Sequence, residues 1–416
     1  MSEMGSAYVK LQTLRSALKR YFKERDEEVD GFLVALLSRH HVLLVGPPGT
    51  GKSLLARAVC GALQGGRFHY QLLDKFTTPR DLFVADVVVA EHPEPDGSRR
   101  VSFINIEGPM PRAHLVVLDE VFKGSAPTLN SLLLLLNERE FAVNPGQTQF
   151  SPLCTLVGAS NELPAKDREE LAAFADRFLL RFEVQYLSVS HGDSTAFLDM
   201  VRDRGLPDLP MLSGDELATA QAAAAALPVG DDILWALNAI RATLSLQHGI
   251  QPSDRRYKEA VKALRAFAFL NGHAAVERTD LAFLQHILWS SRERGERDTV
   301  RGVVLEVARD RDLLWACTLH AEADQVHREA VDALNAAAAL LPCDDQATAR
   351  QVELLTTARK KEERLAEVAT TLDELIASRH GVSGAVTSIR TLRNQVNALR
   401  RNLVRMRGVE DPFIGV

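Results

Sequence analysis

Lys52 and Ser53 close the stretch Gly46-Pro47-Pro48-Gly49-Thr50-Gly51-Lys52-Ser53, which has the phosphate-loop spacing G-x-x-x-x-G-K-[ST]. The glycines let a backbone approach an anion without a Cβ in the way. The free N–H groups and dipole of a following helix, entered at Leu54, favour phosphate there. In that setting Lys52 reaches the β- and γ-phosphates and Ser53 ligates Mg²⁺. Asp119 and Glu120 end the apolar run Leu115-Val116-Val117-Leu118. Asp119 is placed to hold Mg²⁺ through water, and Glu120 to orient and activate an attacking water. Asn161 ends a third apolar run, Thr155 to Ser160, where a neutral amide can position that water without changing the local charge. The chemistry this set could perform is attack of water on a terminal phosphate.

These residues need elements that bring them together. His41 to Val45 is a short β-type run, and Leu54 to Cys60 reads as a helix, so the glycine loop sits between strand and helix. An apolar run ending in two acids predicts a buried parallel strand that delivers carboxylates to the C-terminal sheet edge, where ligands of open α/β sheets bind. Phe68 to Leu72 predicts a further strand, and Thr77 to Leu82 a cap with a short helix. Two hairpins are expected, over residues 86 to 108 around Pro93, Pro95 and Asp96-Gly97, and over 141 to 148 around Asn144-Pro145-Gly146. Leucine spacing predicts a helix over 127 to 137. Leu171 to Phe178 closes another helix with Asp176-Arg177, and Phe182 to Val184 predicts the last strand.

Upstream, Leu11, Leu14, Leu18 and Phe22 recur at helical spacing and predict one amphipathic helix over 7 to 29, continued by Phe32 to Leu37. Downstream, helical periodicity runs over 231 to 246 and 257 to 270, and Thr279-Asp280 is expected to cap a further helix ending near Trp289. From residue 299 three helices are expected, 299 to 341, 345 to 379 and 384 to 407, with Pro342 and Gly381 to Gly384 as breaks. Ile389, Leu392, Val396, Leu399, Leu403 and Met406 form an alternating three- and four-residue seam, matched by Leu365, Val368, Leu372 and Leu375. Arg393, Arg400 and Arg407 line one edge of it, opposite Glu362, Glu363, Glu367, Asp373 and Glu374. Arg401 and Arg405 are expected to point outward.

Composition narrows the class. The 416 residues exceed a single core, so two or three domains are expected. The formal charge of −6 argues against coating nucleic acid. The longest apolar run, Leu132 to Leu136, is far too short to span a bilayer, and Met1 to Lys10 carries no signal-type apolar core. Cys60, Cys154, Cys317 and Cys343 lack metal or redox spacing and fit a reduced, cytoplasmic protein. Neither His40-His41 nor His320 with His327 makes a convincing ligand set.

Residues 41 to about 290 resemble the MoxR group of AAA+ ATPases, most closely the RavA branch. The resemblance rests on Gly46 to Ser53, Leu118-Asp119-Glu120-Val121-Phe122-Lys123, Leu136-Asn137-Glu138-Arg139, Ala159-Ser160-Asn161-Glu162-Leu163-Pro164 and Ser253-Asp254-Arg255-Arg256. It implies that Asn161 is the sensor 1 residue and Arg255, or its neighbour Arg256, the sensor 2 arginine. By residue type alone, Arg255 is a surface arginine four residues from Glu259. Arg177 resembles the arginine finger that reaches a neighbour's γ-phosphate, with Arg181 as its rival. The resemblance further implies ATP and Mg²⁺ as ligands, a homo-hexamer with shared sites, two pore-facing hairpins and a protein client. A von Willebrand A-type partner is common in the family. RavA carries a small β-rich domain in its helical extension, and no stretch here can supply one.

The expected fold is α/β: an AAA+ core with a parallel sheet over 1–190, a helical lid over 191–298 and an antiparallel helical bundle for partner docking over 299–416. The expected function is ATP hydrolysis coupled to remodelling or maturation of another protein. The competing expectations are a nucleic-acid motor or clamp loader, and a nucleotide-binding scaffold that scarcely hydrolyses.

Overall fold

The computed structural model describes residues 3–93, 99–144, 147–162, 169–187, 195–202, 205–290, 295–340, 345–378 and 384–410. The expected turns at Pro95 to Gly97 and Pro145-Gly146, the Leu163-Pro164 pair, the break at Pro342 and that at 381–383 lie outside them. The described elements, in chain order, are α1 (Glu3–Tyr21), α2 (Asp26–Ser38), β1 (Val42–Val45), α3 (Lys52–Gly61), β2 (Phe68–Leu72), α4 (Pro79–Phe83), β3 (Val84–Pro93), β4 (Arg99–Glu107), β5 (Leu115–Asp119), α5 (Ala126–Glu138), β6 (Glu140–Asn144), β7 (Gln147–Phe150), β8 (Thr155–Ser160), α6 (Glu169–Ala175), β9 (Leu180–Glu183), α7 (Thr195–Val201), α8 (Gly214–Ala226), α9 (Asp231–His248), α10 (Asp254–Asn271), α11 (Glu296–Ala308), α12 (Arg311–Ala339), α13 (Asp345–Ala377) and α14 (Gly384–Glu410).

Helix and strand packing divides the chain into two units: residues 1–228 with 252–298, and 229–251 with 299–416. The first unit is built on a five-stranded sheet of order β2-β5-β8-β1-β9, parallel at every pairing. Strands β1 and β8 are buried throughout, as expected of strands covered on both faces. Their register pairs Val45 with Ser160, and β5 pairs Leu118 with Gly158, so three strands end side by side. Leu43, Val116, Leu118, Leu132, Leu156, Phe174 and Phe178 belong to one core cluster. The two expected hairpins form as antiparallel pairs, β3 with β4 and β6 with β7, each with a register shift.

The single helix expected over 7 to 37 is two helices. Glu24 takes a left-handed φ of 54° and interrupts the ladder, and the Arg25 guanidinium donates to the Gln185 carbonyl, tying the break to the segment after β9. α1 and α2 are held together by Asp30, which accepts from Arg15 and Lys19 at 2.7 and 2.8 Å. α8 opens with a capping box, Ser213 with Glu216, and Glu216 also meets Lys10 of α1 at 2.7 Å. The helix expected from Thr279 is instead a 3-10 stretch, Arg278–His286, whose capping box is formed by Glu277 and Asp280. Asp280 is fully buried and accepts from Asn271 and His273.

In the second unit α9 packs with α12 and α14, and α12, α13 and α14 pack mutually. The helix expected over 299 to 341 is two, because Asp310 caps a new start by accepting from the Leu313 N–H at 3.0 Å. The seam holds: Ile389, Leu392, Val396 and Leu403 of α14 are buried, as are Leu365, Val368, Leu372 and Leu375 of α13. Arg393 pairs with Asp373 at 3.2 Å and Arg407 with Glu362 at 2.7 Å. Arg400, Arg401 and Arg405 are exposed. No described helix is long and apolar enough to cross a membrane.

Candidate functional site

The phosphate loop runs from the end of β1 into α3. Gly46 donates to the Ser160 carbonyl at 2.9 Å, which seats the loop against the end of β8. A Cβ at Gly46 would lie 1.9 Å from the Val184 carbonyl oxygen, so no larger residue fits there. Gly51 caps α3 with a φ of 82°, a conformation glycine takes without strain. Thr50 Oγ1 closes the turn on the Pro47 carbonyl at 3.1 Å, and Pro48 and Gly49 form the exposed tip. Lys52 Nζ donates to the carbonyls of Gly46 and Pro47 at 2.7 and 2.8 Å. Burial lowers the Lys52 pKa, opposed by the charges of Asp119 and Glu120, which places the ammonium within their field. Ser53 occupies the first turn of α3, and Leu54 beside it is exposed.

The acid pair and the amide converge at the ends of β5 and β8. Asp119 Oδ1 accepts from the Glu120 N–H at 3.0 Å, and Oδ2 accepts from the Tyr70 hydroxyl at 2.8 Å. Glu120 turns the chain out of the strand with φ 54° and ψ 40°. Such a conformation is uncommon outside glycine and points to a constrained position. Its Oε1 accepts from Asn161 Nδ2 at 2.8 Å, and Oε2 lies 3.3 Å from Lys123 Nζ. One carboxylate is therefore held from both sides, while the other keeps acceptor capacity for a metal-bound water. Ser53 and Asp119 offer hard oxygens, and among the described residues no group of three or more His, Cys, Asp or Glu forms a metal cage. That donor set fits Mg²⁺, which takes one or two protein oxygens and completes its shell with phosphate and water.

A cavity of about 730 Å³ opens beside the loop, within the range of small-ligand sites. Tyr21, Phe22, Tyr186, Leu187, Phe197 and Met200 line it together with Gly49, Thr50, Gly51 and Leu54. Lys23 and Asp199 bridge its two walls at 3.1 Å. Sequence reasoning misses this wall: it runs one helix through Phe22, and the segment after β9 carries no motif.

The arginines part company. Arg181 is buried and donates to the Trp289 and Ala175 carbonyls, which ends its rivalry with Arg177 for an exposed role. Arg256 is also buried, donating to the carbonyls of Phe178, Leu179 and Ile287 and to Asp176. Arg255 is exposed, and the expected pairing of Glu259 goes instead to His40 and Lys262. Residues 176 to 179 lead into β9, so Arg177 and the Arg255-Arg256 pair sit at the N-terminal sheet edge. The phosphate loop lies at the opposite edge, about 13 Å of strand away.

At the same N-terminal edge His41 is fully buried. Its Nδ1 accepts from the Leu156 N–H at 3.0 Å, and its Nε2 lies 3.1 Å from the Leu136 carbonyl and against the Arg139 guanidinium. Burial, with the Arg139 guanidinium against the ring, drives its pKa well down.

Comparison with known proteins agrees with this geometry. The family model for the MoxR domain of MoxR–vWA–beta-propeller ternary systems matches residues 9–198, and an AAA lid domain matches 232–304. The uncharacterized protein MJ0079 of Methanocaldococcus jannaschii is 37% identical over 69% of this chain and 72% of its own length. This chain belongs to the MoxR family of AAA+ ATPases. Protein MoxR of Paracoccus denitrificans is 26% identical over 67% of this chain and 87% of that one, and the chaperone MoxR1 of Mycobacterium tuberculosis 31% identical over 43% and 46%. A crystal structure from Cytophaga hutchinsonii superposes with a TM-score of 0.57 at 16% identity, covering 74% of this chain and 96% of that one, a likeness of fold. The MoxR match spans both hairpins. The lid match runs across the boundary between the two packing units.

Proposed function

We propose that this MoxR-family protein hydrolyses ATP and uses the cycle to remodel or mature a partner protein. The observation that carries the reading is the Glu120 carboxylate, oriented by Asn161 at 2.8 Å and lying within the same field of charge as Lys52. A carboxylate so held can accept a proton from water aligned on the γ-phosphate, with the protein supplying positioning and charge neutralisation. Lys52 exchanges its two loop carbonyls for phosphate oxygens. The N-terminal turn of α3 receives the phosphate charge. The aromatic and apolar wall from Tyr21 to Met200 takes the nucleoside. Ser53, and Asp119 through water, would hold Mg²⁺, which would supply charge neutralisation for the phosphates.

Two arginines at the N-terminal sheet edge have no route to their own chain's loop, which supports a ring in which Arg177 and Arg255 serve a neighbour's site. A hexamer is the assembly we propose, and on the motif set we propose kinship with the RavA branch. The domain scheme we propose is a core, a lid and a partner-docking bundle, with α9 of the lid packing in the same unit as the bundle. The partner class we propose is a von Willebrand A-type protein, in keeping with the systems for which the matched MoxR domain is named.

The test is ATP turnover by the purified full chain beside Glu120→Gln. The amide keeps the shape but cannot take the proton, so turnover should fall about 10²–10⁴-fold, with binding of a fluorescent ATP analogue retained. Equal turnover in the two proteins removes Glu120 from the base role, and absence of turnover in both favours a nucleotide-binding scaffold.

A further inference from the structure

Tyr70 lies in β2, the edge strand of the sheet, next to β5. The parallel register pairs Tyr70 with Val117 and Leu72 with Asp119. With side chains alternating along each strand, Tyr70 and Asp119 share one face as diagonal neighbours, within reach of a long aromatic side chain. The hydroxyl closes that diagonal, donating to Asp119 Oδ2 at 2.8 Å. The other oxygen of Asp119 is occupied by the Glu120 N–H. Tyr70 has no evident packing duty that would explain an aromatic residue here: it is 42% exposed, on an edge.

We propose that Tyr70 is a positioning residue for the metal-bearing carboxylate. Its hydroxyl fixes Asp119 in the rotamer that presents the remaining lone pairs to a water on Mg²⁺. Residues that orient a metal ligand in this way are typically worth about 10–100-fold in metal affinity. The inference rests on the Mg²⁺-dependent ATPase reading and deepens it.

The experiment measures binding of Mn²⁺, a paramagnetic substitute for Mg²⁺, to the full chain with a non-hydrolysable ATP analogue, by electron paramagnetic resonance. Tyr70→Phe removes only the hydroxyl. It should raise the Mn²⁺ dissociation constant about tenfold, while binding of a fluorescent ATP analogue in EDTA stays unchanged. In turnover, the Mg²⁺ concentration for half-maximal rate should rise by a similar factor, with the rate at saturating Mg²⁺ within about twofold. In an Asp119→Asn background the same change should have no further effect, because the two groups act as one. Unchanged or tighter Mn²⁺ binding in folded Tyr70→Phe overturns the proposal alone. If the unsubstituted protein binds neither Mn²⁺ nor nucleotide, the ATPase reading falls and this inference falls with it.

Discussion

Arg256 Nη1 donates to Asp176 Oδ1 at 3.2 Å, and this contact between a buried guanidinium and a half-buried carboxylate fixes the backbone next to Arg255 and Arg177, the two arginines to which we assign other tasks. Burial brings the Arg256 pKa down to about 10, with Asp176 opposing, so the guanidinium stays charged at neutral pH. Arg256→Ala would leave Asp176 and the carbonyls of Phe178 and Leu179 without their donor. A buried acceptor left without its donor typically costs about 1–3 kcal/mol. Chemical denaturation should show a loss of that order for Arg256→Ala, and a change within about 0.5 kcal/mol for the exposed Arg255→Ala. Equal stability of the two variants would contradict the structural role given to Arg256.

The placement of Arg177 at the edge opposite the phosphate loop predicts complementation. Arg177→Ala alone and Glu120→Gln alone should each lose turnover. Mixed assemblies contain some sites with an intact base and a neighbour's intact arginine, and should regain part of it. Arginine fingers are worth about 10³–10⁵ in rate, so even a small rescued fraction is measurable. Demonstrably mixed assemblies without any rescue would deny Arg177 this role.

Acid should loosen the first unit through its buried histidines. Burial lowers the pKa of His40 and, more strongly, of His41. In the unfolded chain both titrate near about 6.5. Below that pH the unfolded state binds more protons than the folded one, so stability falls as pH falls, until the folded pKa is reached. Each histidine contributes a slope of up to about 1.4 kcal/mol per pH unit. Melting temperatures should therefore drop between pH 6.5 and 5. His41→Gln, less stable at pH 7.5, should show a shallower drop. A parallel drop in the variant would assign the acid sensitivity to other groups.

Read linearly, the chain suggests that everything after residue 298 is an appendage whose removal leaves a folded ATPase. Helix packing in the second unit argues otherwise. Ile240 and Leu244 of α9 are buried, and the helices α9 packs with, α12 and α14, lie beyond that cut. Truncation after 298 exposes this apolar face and should give an aggregation-prone product by light scattering. A monodisperse, active truncation would show that α9 finds other cover. The partner-docking face we propose survives this revision: charge reversal at the exposed Arg401 and Arg405 should weaken partner binding in a salt-dependent way, with the helical circular dichroism unchanged. Full partner binding at low salt would reduce those arginines to a solvated face.

Local chemistry made much of this protein legible from its residues. Gly46 to Ser53, Asp119, Glu120 and Asn161 could be placed because each stands at the end of an apolar run, and strand ends of a parallel sheet share one edge. The α14 seam was legible for a similar reason, since a regular spacing in one helix needs no knowledge of its partner. What tertiary structure decided depended on contacts distant in sequence. Arg255 and Arg256 are adjacent and chemically identical, yet residues 176 to 179 and 287, far along the chain, bury one and leave the other in water. Arg181 looked as available as Arg177 until Trp289 came to cover it. The apolar wall beside the phosphate loop required a helix to stop at Tyr21 so that Arg25 could tie to Gln185. α9 left its sequence neighbours for α12 and α14, which begin about sixty residues later and beyond. In each case side-chain type set what a residue could do, and burial by remote segments selected which of the possibilities it does.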